Sequence, residues 1–184
     1  DWKFINEDLV DAHLHSFDDD NWRELSLPHD WAIEGPFTEE VSFKGGYLPY
    51  PGVGWYRKSF SPTLISGNLY LEFGGIMRNS KVFLNGVYIG GWPYGYTSFK
   101  LDITDKVIEN VENVIAIRVD NQDRSSRWYP GSGIYRNVWM NQTHLTHVDH
   151  WGTYITTPEI KKDYAKIVVE TDLVNKQKDS VSIE

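Results

Sequence analysis

The chain contains no cysteine in its 184 residues. Disulfides, cysteine-ligated zinc and thiol nucleophiles are therefore excluded, although this says little about compartment. Long apolar runs are also missing. None approaches the roughly 20 residues that span a bilayer, and the opening DWKFINEDLV has no basic start followed by an apolar segment. The chain reads as soluble with no membrane partner, any export signal having been removed or never present. Cations are scarce: 18 Lys and Arg stand against 26 Asp and Glu, a net charge of -8. No basic stripe is present to displace counterions from a polyanion, so nucleic acid is not an expected partner. Helical periodicity, internal repeats and low-complexity segments are likewise lacking.

What the chain does have is rings. Aromatic residues make up 15% of it, with eight Trp and eleven Tyr. Such side chains carry a polar edge and often stay half exposed, which makes them available for recognition as well as packing. Around them run short alternating or wholly apolar stretches broken by Gly, Pro, Asn and Asp, the pattern of a mostly β chain. Strands are expected at 23–27, 55–60, 69–73, 82–84, 87–89, 98–103, 114–119 and 134–140. In KVFLNGVYIGG, Asn85-Gly86 predicts a hairpin through a two-residue type I′ turn. VIAIRVDN is apolar at nearly every position, as in a strand covered on both faces. LDITDKV predicts a turn, with one short helical turn around 106–109.

After about Asn141 the character shifts. HLTHVDHWGTYITTPEI reads as a connector entering a new strand, and AKIVVETDLVN as a second strand. Two or three strands cannot close a core of their own. The expected organisation is one complete sandwich over 1–143, followed at 144–184 by a connector and the opening strands of an incomplete second domain. The strand at 166–174 leaves unpaired edges, which should pair with a second copy of the chain, making a homo-oligomer, or fold back on the first unit.

Several motifs invite a chemical reading, and each has a plainer one. His29 and Asp30 in LPHDW could be base and orienting acid of a triad, but no G-x-S-x-G supplies the serine, and a Pro-kinked turn is the better reading. His144, His147, Asp149 and His150 in HLTHVDHW would suit a metal on a helix, yet an extended chain splits them between opposite faces. His13-x-His15 is weaker still. Asp18, Asp19, Asp20 and Asn21 lack the glycine and distal glutamate of a calcium loop and read as a solvated turn. Asn141-Gln142-Thr143 fits a glycosylation sequon, a match common by chance. Glu39 and Glu40 have no apolar setting to separate an acid from a nucleophile. No catalytic residue, metal or cofactor is assigned.

RWYPGSGIYR, residues 127–136, crowds flat rings and guanidinium groups around a Pro-Gly-Ser-Gly turn. Sugars present apolar C–H faces ringed by hydroxyls, so their sites pair stacking aromatics with oriented polar groups. GYLPYPGVGWYRK and GWPYGY have the same chemistry. For any single ring among Trp55, Trp92, Tyr96, Trp128 and Tyr135, covering the end of a sandwich is the competing reading.

In order along the chain, LPHDWAIEGPF, GVGWYRKSF, LEFGGIMRNSKVFLNGVYIGGWPYGYTSF, VIAIRVDN and SRWYPGSGIYRNVW resemble the N-terminal sugar-binding domain of glycoside hydrolase family 2, bacterial β-galactosidases above all. The resemblance covers residues 1 to about 143; the remainder resembles the start of the immunoglobulin-like domain that follows in those enzymes. It implies an all-β fold: a jelly-roll, galactose-binding-like β-sandwich, then the first strands of a truncated immunoglobulin-like sandwich. It also implies catalytic glutamates on a (β/α)₈ barrel further along the polypeptide, with that barrel and a carbohydrate substrate as partners in the full-length enzyme. Some members place a substrate-touching carboxylate five residues before the S/A-G-I segment. Here that count reaches Arg127, so neither the carboxylate role nor sodium binding carries over. The candidates for the substrate rim are Arg127, Trp128, Tyr129, Tyr50 and Pro51. Competing readings are a stand-alone carbohydrate-binding module, a pure interdomain scaffold, or a parent of β-glucuronidase or β-mannosidase specificity, in a bacterial periplasmic, secreted or cytoplasmic setting.

Overall fold

A computed structural model describes residues 1–34, 52–63, 67–121 and 131–182. In chain order its strands are β1 (Trp2–Ile5), β2 (Arg23–Leu25), β3 (Gly52–Phe60), β4 (Asn68–Phe73), β5 (Ser80–Leu84), β6 (Val87–Trp92), β7 (Phe99–Asp102), β8 (Asn113–Asn121), β9 (Val138–Thr143), β10 (Thr146–Ile160) and β11 (Ala165–Asn175). All paired strands are antiparallel. One sheet runs β2-β1-β3-β8-β5-β6 and a second β7-β4-β9, while β10 and β11 form a separate ribbon.

The two larger sheets face each other as the jelly-roll sandwich. Phe4, Tyr56, Val82, Ile115 and Ile117 from one sheet meet Leu69, Leu71, Phe73 and Phe99 from the other in a single buried cluster. The β8 strand is buried at nearly every position because its other face is covered too. Residues 6–22 wrap across the back of the six-stranded sheet, where Ala12 and Trp22 pack with Trp55 and Ala116.

Arg57 on β3 fastens that wrap. Its side chain, 2% exposed, donates from Nε to Asp19 at 2.6 Å and from Nη1 to the carbonyls of Ala12 at 2.6 Å and Leu14 at 2.9 Å. Asp19 also accepts from Lys3 at 2.6 Å. The aspartate run expected to be a solvated turn therefore has one member serving as a staple.

The hairpin of β5 and β6 has Asn85 at φ 52° and Gly86 at φ 84°, the type I′ geometry its sequence demands. Other expectations need correction. Residues 106–109 form no helix: Lys106 and Val107 both donate to the Ile103 carbonyl, and the Asn113 side chain takes the Ile108 N–H and C=O that a helix would have continued through. The strand expected at 134–140 starts only at Val138, since Gly133 is engaged with Met77 on another path. Trp2–Ile5 is a strand that periodicity alone did not show.

The ribbon is docked at its base. Asn68 donates to the His144 carbonyl at 3.0 Å, Lys100 pairs with Asp149, Lys176 pairs with Asp102 at 2.5 Å, and His147 packs on Tyr70 with ring centroids 5.6 Å apart. Further out, Ile155, Ile160, Ile167 and Val169 remain exposed.

Candidate functional site

The described part of the ring-rich run, from Gly131 onward, is held on two sides. Gly131, Ser132 and Gly133 lie between residues 29–31 on one side and Met77 on the other. The backbone N–H of His29 donates to Ile134 O at 2.8 Å and that of Trp31 to Ser132 O at 3.0 Å, while Met77 and Gly133 exchange two bonds of 2.9 Å. Asp30 joins the two motifs: one carboxylate oxygen accepts the N–H of Ser132 at 2.7 Å and that of Ala32 at 2.9 Å. The second bond caps a 3-10 turn at Trp31–Ile33. Both glycines are dictated by this crowding. A Cβ on Gly131 would strike the Asp30 carboxylate, and one on Gly133, at φ 124°, would strike the Tyr56 hydroxyl.

Asn121, the last residue of β8, closes the gate between the strand and the turn. Its side-chain amide donates to Gly131 O at 3.0 Å and to Ser132 Oγ at 2.6 Å. Directly across the sheet, Gly52 pairs with Asn121. The residues flanking 122–130 and the residue following Tyr50 and Pro51 thus meet at one corner of the sandwich. Arg127, Trp128, Tyr129, Tyr50 and Pro51 themselves lie outside the described residues.

Beneath the corner sits a buried polar relay. His29, 9% exposed, has Nδ1 at 2.7 Å from the Tyr56 hydroxyl and Nε2 at 3.0 Å from Glu34. Tyr56 Oη also accepts the Ile134 backbone N–H, and His29 Nε2 lies between the Arg23 guanidinium, at 2.8 Å from Nη2, and Glu34. Burial raises the Tyr56 pKa, keeping the phenol protonated. Burial likewise lowers the His29 pKa, against the opposing pull of Glu34, so the imidazole is favoured neutral. Glu34 is held below the usual carboxylate range, chiefly by the hydrogen bonds from Arg23.

These contacts position a turn; they do not assemble a nucleophile with a base. His29 and Asp30 are the pair singled out as a triad candidate, and the structure turns them to different partners. The remaining sequence candidates are also dispersed. His147 Nδ1 meets the His144 carbonyl at 2.9 Å, Asp149 takes Lys100, and His150 lies 3.7 Å from Glu72. Among the described residues no three His, Asp or Glu groups stand together as a metal site. Trp55 is 3% exposed and belongs to the core, Tyr135 is partly buried with its hydroxyl on Gly95 O at 2.7 Å, and Trp92 and Tyr96 stay largely exposed. Asp30 bonds backbone groups as the Pro-kinked-turn reading expects; the role of Asn121 was missed from sequence, the signal being the two glycines, which mark a close approach by something without saying by what.

An all-β sandwich built on these motifs defines a class, and comparison with known proteins identifies it. Residues 17–125 match a family described as the β-galactosidase second all-beta domain. The chain is 48% identical, over 95% of its length, to the β-galactosidase BoGH2A of Bacteroides ovatus, of which it covers 21%. It is 30% identical, over its whole length, to a β-glucuronidase of Formosa agariphila, again covering 21% of that protein. A crystal structure of a glycosyl hydrolase family 2 member from Bacteroides cellulosilyticus superposes with a TM-score of 0.88 at 38% identity, covering 95% of this chain and 24% of that one. The chain belongs to glycoside hydrolase family 2. It spans between a fifth and a quarter of the length of these relatives.

Proposed function

We propose that the chain is the non-catalytic sugar-binding domain of a β-galactosidase-type hydrolase, in which Arg127, Trp128, Tyr129, Tyr50 and Pro51 form part of the substrate rim. In this reading, residues 144–184 open an immunoglobulin-like domain, and two glutamates of a downstream barrel carry out retaining hydrolysis of terminal β-galactosides by double displacement. One observation carries it: the flanks of both rim segments converge on the corner fastened by Asn121, Asp30 and Ser132. Anchoring the flanks of a substrate-touching segment is what substrate orientation requires. An arginine there supplies a forked donor to ring hydroxyls.

The test is Arg127→Ala in the full-length enzyme. Losing a charged hydrogen bond to substrate should lower kcat/KM on an aryl β-galactoside by roughly 10-fold to 100-fold, with the unfolding temperature unchanged. An unchanged kcat/KM would remove Arg127 from the rim. β-Glucuronidases among the relatives favour a second specificity, since a guanidinium also suits a uronate carboxylate. Running the aryl β-glucuronide in parallel separates the two: the substrate with the larger wild-type kcat/KM identifies the reaction.

A further inference from the structure

The 131–134 turn stands on a buried imidazole–phenol pair. Tyr56 is fully buried, and its hydroxyl meets His29 Nδ1 at 2.7 Å while accepting the Ile134 backbone N–H. The same hydroxyl fills the space beside Gly133 that a Cβ would need. The backbone N–H of His29 donates to Ile134 O at 2.8 Å. His29 therefore reaches Ile134 twice, directly through its backbone and by way of Tyr56 through its ring. We propose that Tyr56 and His29 are positioning residues for the reaction, a latch that holds the turn in place while the imidazole is neutral and releases it when the imidazole is protonated. The inference rests on the rim reading and adds its regulation by pH.

The pair is buried by this chain's own residues, Phe4, Trp31 and Ile134 among them, so it does not depend on which faces of the domain further polypeptide covers. Among the described residues, the charged and titratable groups around the His29 ring are Arg23 from β2, Glu34 just past the 3-10 turn, Asp30 next in the chain and Tyr56 from β3. Strand β1 presents the uncharged Phe4 ring, edge-on with centroids 4.6 Å apart, and the turn presents backbone. Asp30 is already committed to the N–H groups of Ser132 and Ala32.

A neutral imidazole offers one donor and one acceptor, whereas an imidazolium offers two donors. Arg23 Nη2 lies 2.8 Å from His29 Nε2 and also donates to Glu34 Oε1 at 2.5 Å. The neutral ring suits that setting in either tautomer, accepting from Arg23 or donating to Glu34. Protonation removes the first option and sets a second cation against the guanidinium where little water screens it. At the other edge the charged ring can only donate to Tyr56 Oη, which already accepts from Ile134. The ring leaves its seat as it charges, and the phenol loses its hold on the turn. Burial keeps the His29 pKa below its ordinary value of about 6.5, so the latch is closed at neutral pH and opens on acidification.

The experiment is steady-state kinetics of the full-length enzyme from about pH 8 to about pH 5, on whichever aryl glycoside it hydrolyses, with amide exchange at Gly133 and Ile134 corrected for the intrinsic effect of pH. At neutral pH, Tyr56→Phe should raise KM about tenfold and leave kcat within about twofold, because a displaced rim loses binding contacts. A merely structural defect would instead shrink the active fraction, lowering kcat at constant KM. On acidification the wild-type KM should rise by a similar factor as protection of Gly133 and Ile134 falls. His29→Asn, which keeps a neutral hydrogen-bonding group beside Tyr56, should abolish both changes. A Tyr56→Phe KM equal to that of the wild type overturns the proposal, as does a wild-type turn whose protection ignores pH or a His29→Asn enzyme that retains the wild-type pH dependence. Tyr56→Phe and the wild-type pH series decide the matter even where His29→Asn fails to fold. Those failures leave Arg127→Ala free to lower kcat/KM. An inert Arg127→Ala, with exchange still following the charge of His29, would overturn the rim reading and with it the kinetic role of the latch.

Discussion

Single residues set the corner on which the proposed rim depends. Gly133 combines a left-handed φ of 124° with the Tyr56 hydroxyl immediately outside its Cα, so Gly133→Ala meets both backbone strain and collision. Destabilisation of about 2 to 3 kcal/mol is expected in denaturant unfolding; a change within experimental error would show that the turn can shift freely. The glycines of GSG were readable as a turn, but their reason was not. That reason lies far off in the chain, in the Asp30 carboxylate for Gly131 and the Tyr56 hydroxyl for Gly133, and sequence spacing does not reveal which distant groups converge. LPHDW reads from sequence as a Pro-kinked turn bonding backbone groups, which Asp30 does, while the turn of the His29 ring onto Tyr56 is visible only in the structure.

At the scale of elements, β3 and β8 form the spine; β8 was legible from its largely apolar run, and β3 from its ring-rich, β-prone stretch. Arg57 is the buried cation of β3. Its buried guanidinium faces carbonyls and Asp19 in the 6–22 wrap, so Arg57→Met leaves Asp19 with Lys3 and takes this donor from the carbonyls of Ala12 and Leu14. A loss of about 3 kcal/mol or more is expected, measurable by urea unfolding, with faster amide exchange concentrated in residues 6–22. Exchange that rises uniformly would contradict a local staple. β1 escaped notice because four residues give too little periodicity. Its Trp2 and Phe4 are buried in the core, and its pairing with both β2 and β3 establishes it. The expected helical turn at 106–109 failed for a related reason: propensity could not anticipate the Asn113 side chain competing for the same backbone groups.

For the whole molecule, the His29 relay ties stability to pH. The folded state lowers the His29 pKa through burial, so the unfolded imidazole, with an ordinary value of about 6.5, binds a proton the folded one resists. Its stability contribution is complete above that value and is lost as pH falls through the lowered folded value. Glu34, held low by Arg23, acts in the same direction below the ordinary glutamate range. The urea midpoint should therefore decline from about pH 7 to about pH 5, and His29→Gln should flatten that descent. A wild-type midpoint that holds or rises on acidification would contradict the neutral-imidazole assignment. The all-β sandwich was legible because it follows from local pattern, as were strands in the stretches that form β10 and β11. The register shift in β10 between Val148 and Thr153 was not, since no local pattern in the sequence marks it.

The amide bridge from Asn121 to Gly131 separates two kinds of inheritance. The nine positions between them begin and end at a clasp that the scaffold supplies, and closure entropy grows only logarithmically with length, by about 0.6 kcal/mol per doubling. Selection can therefore rewrite, lengthen or exchange that cassette while the host architecture stays untouched. Grafting the equivalent stretch from a galactoside-cleaving relative onto a glucuronide-cleaving one becomes a modular operation, with its hinges already marked by an asparagine and a glycine.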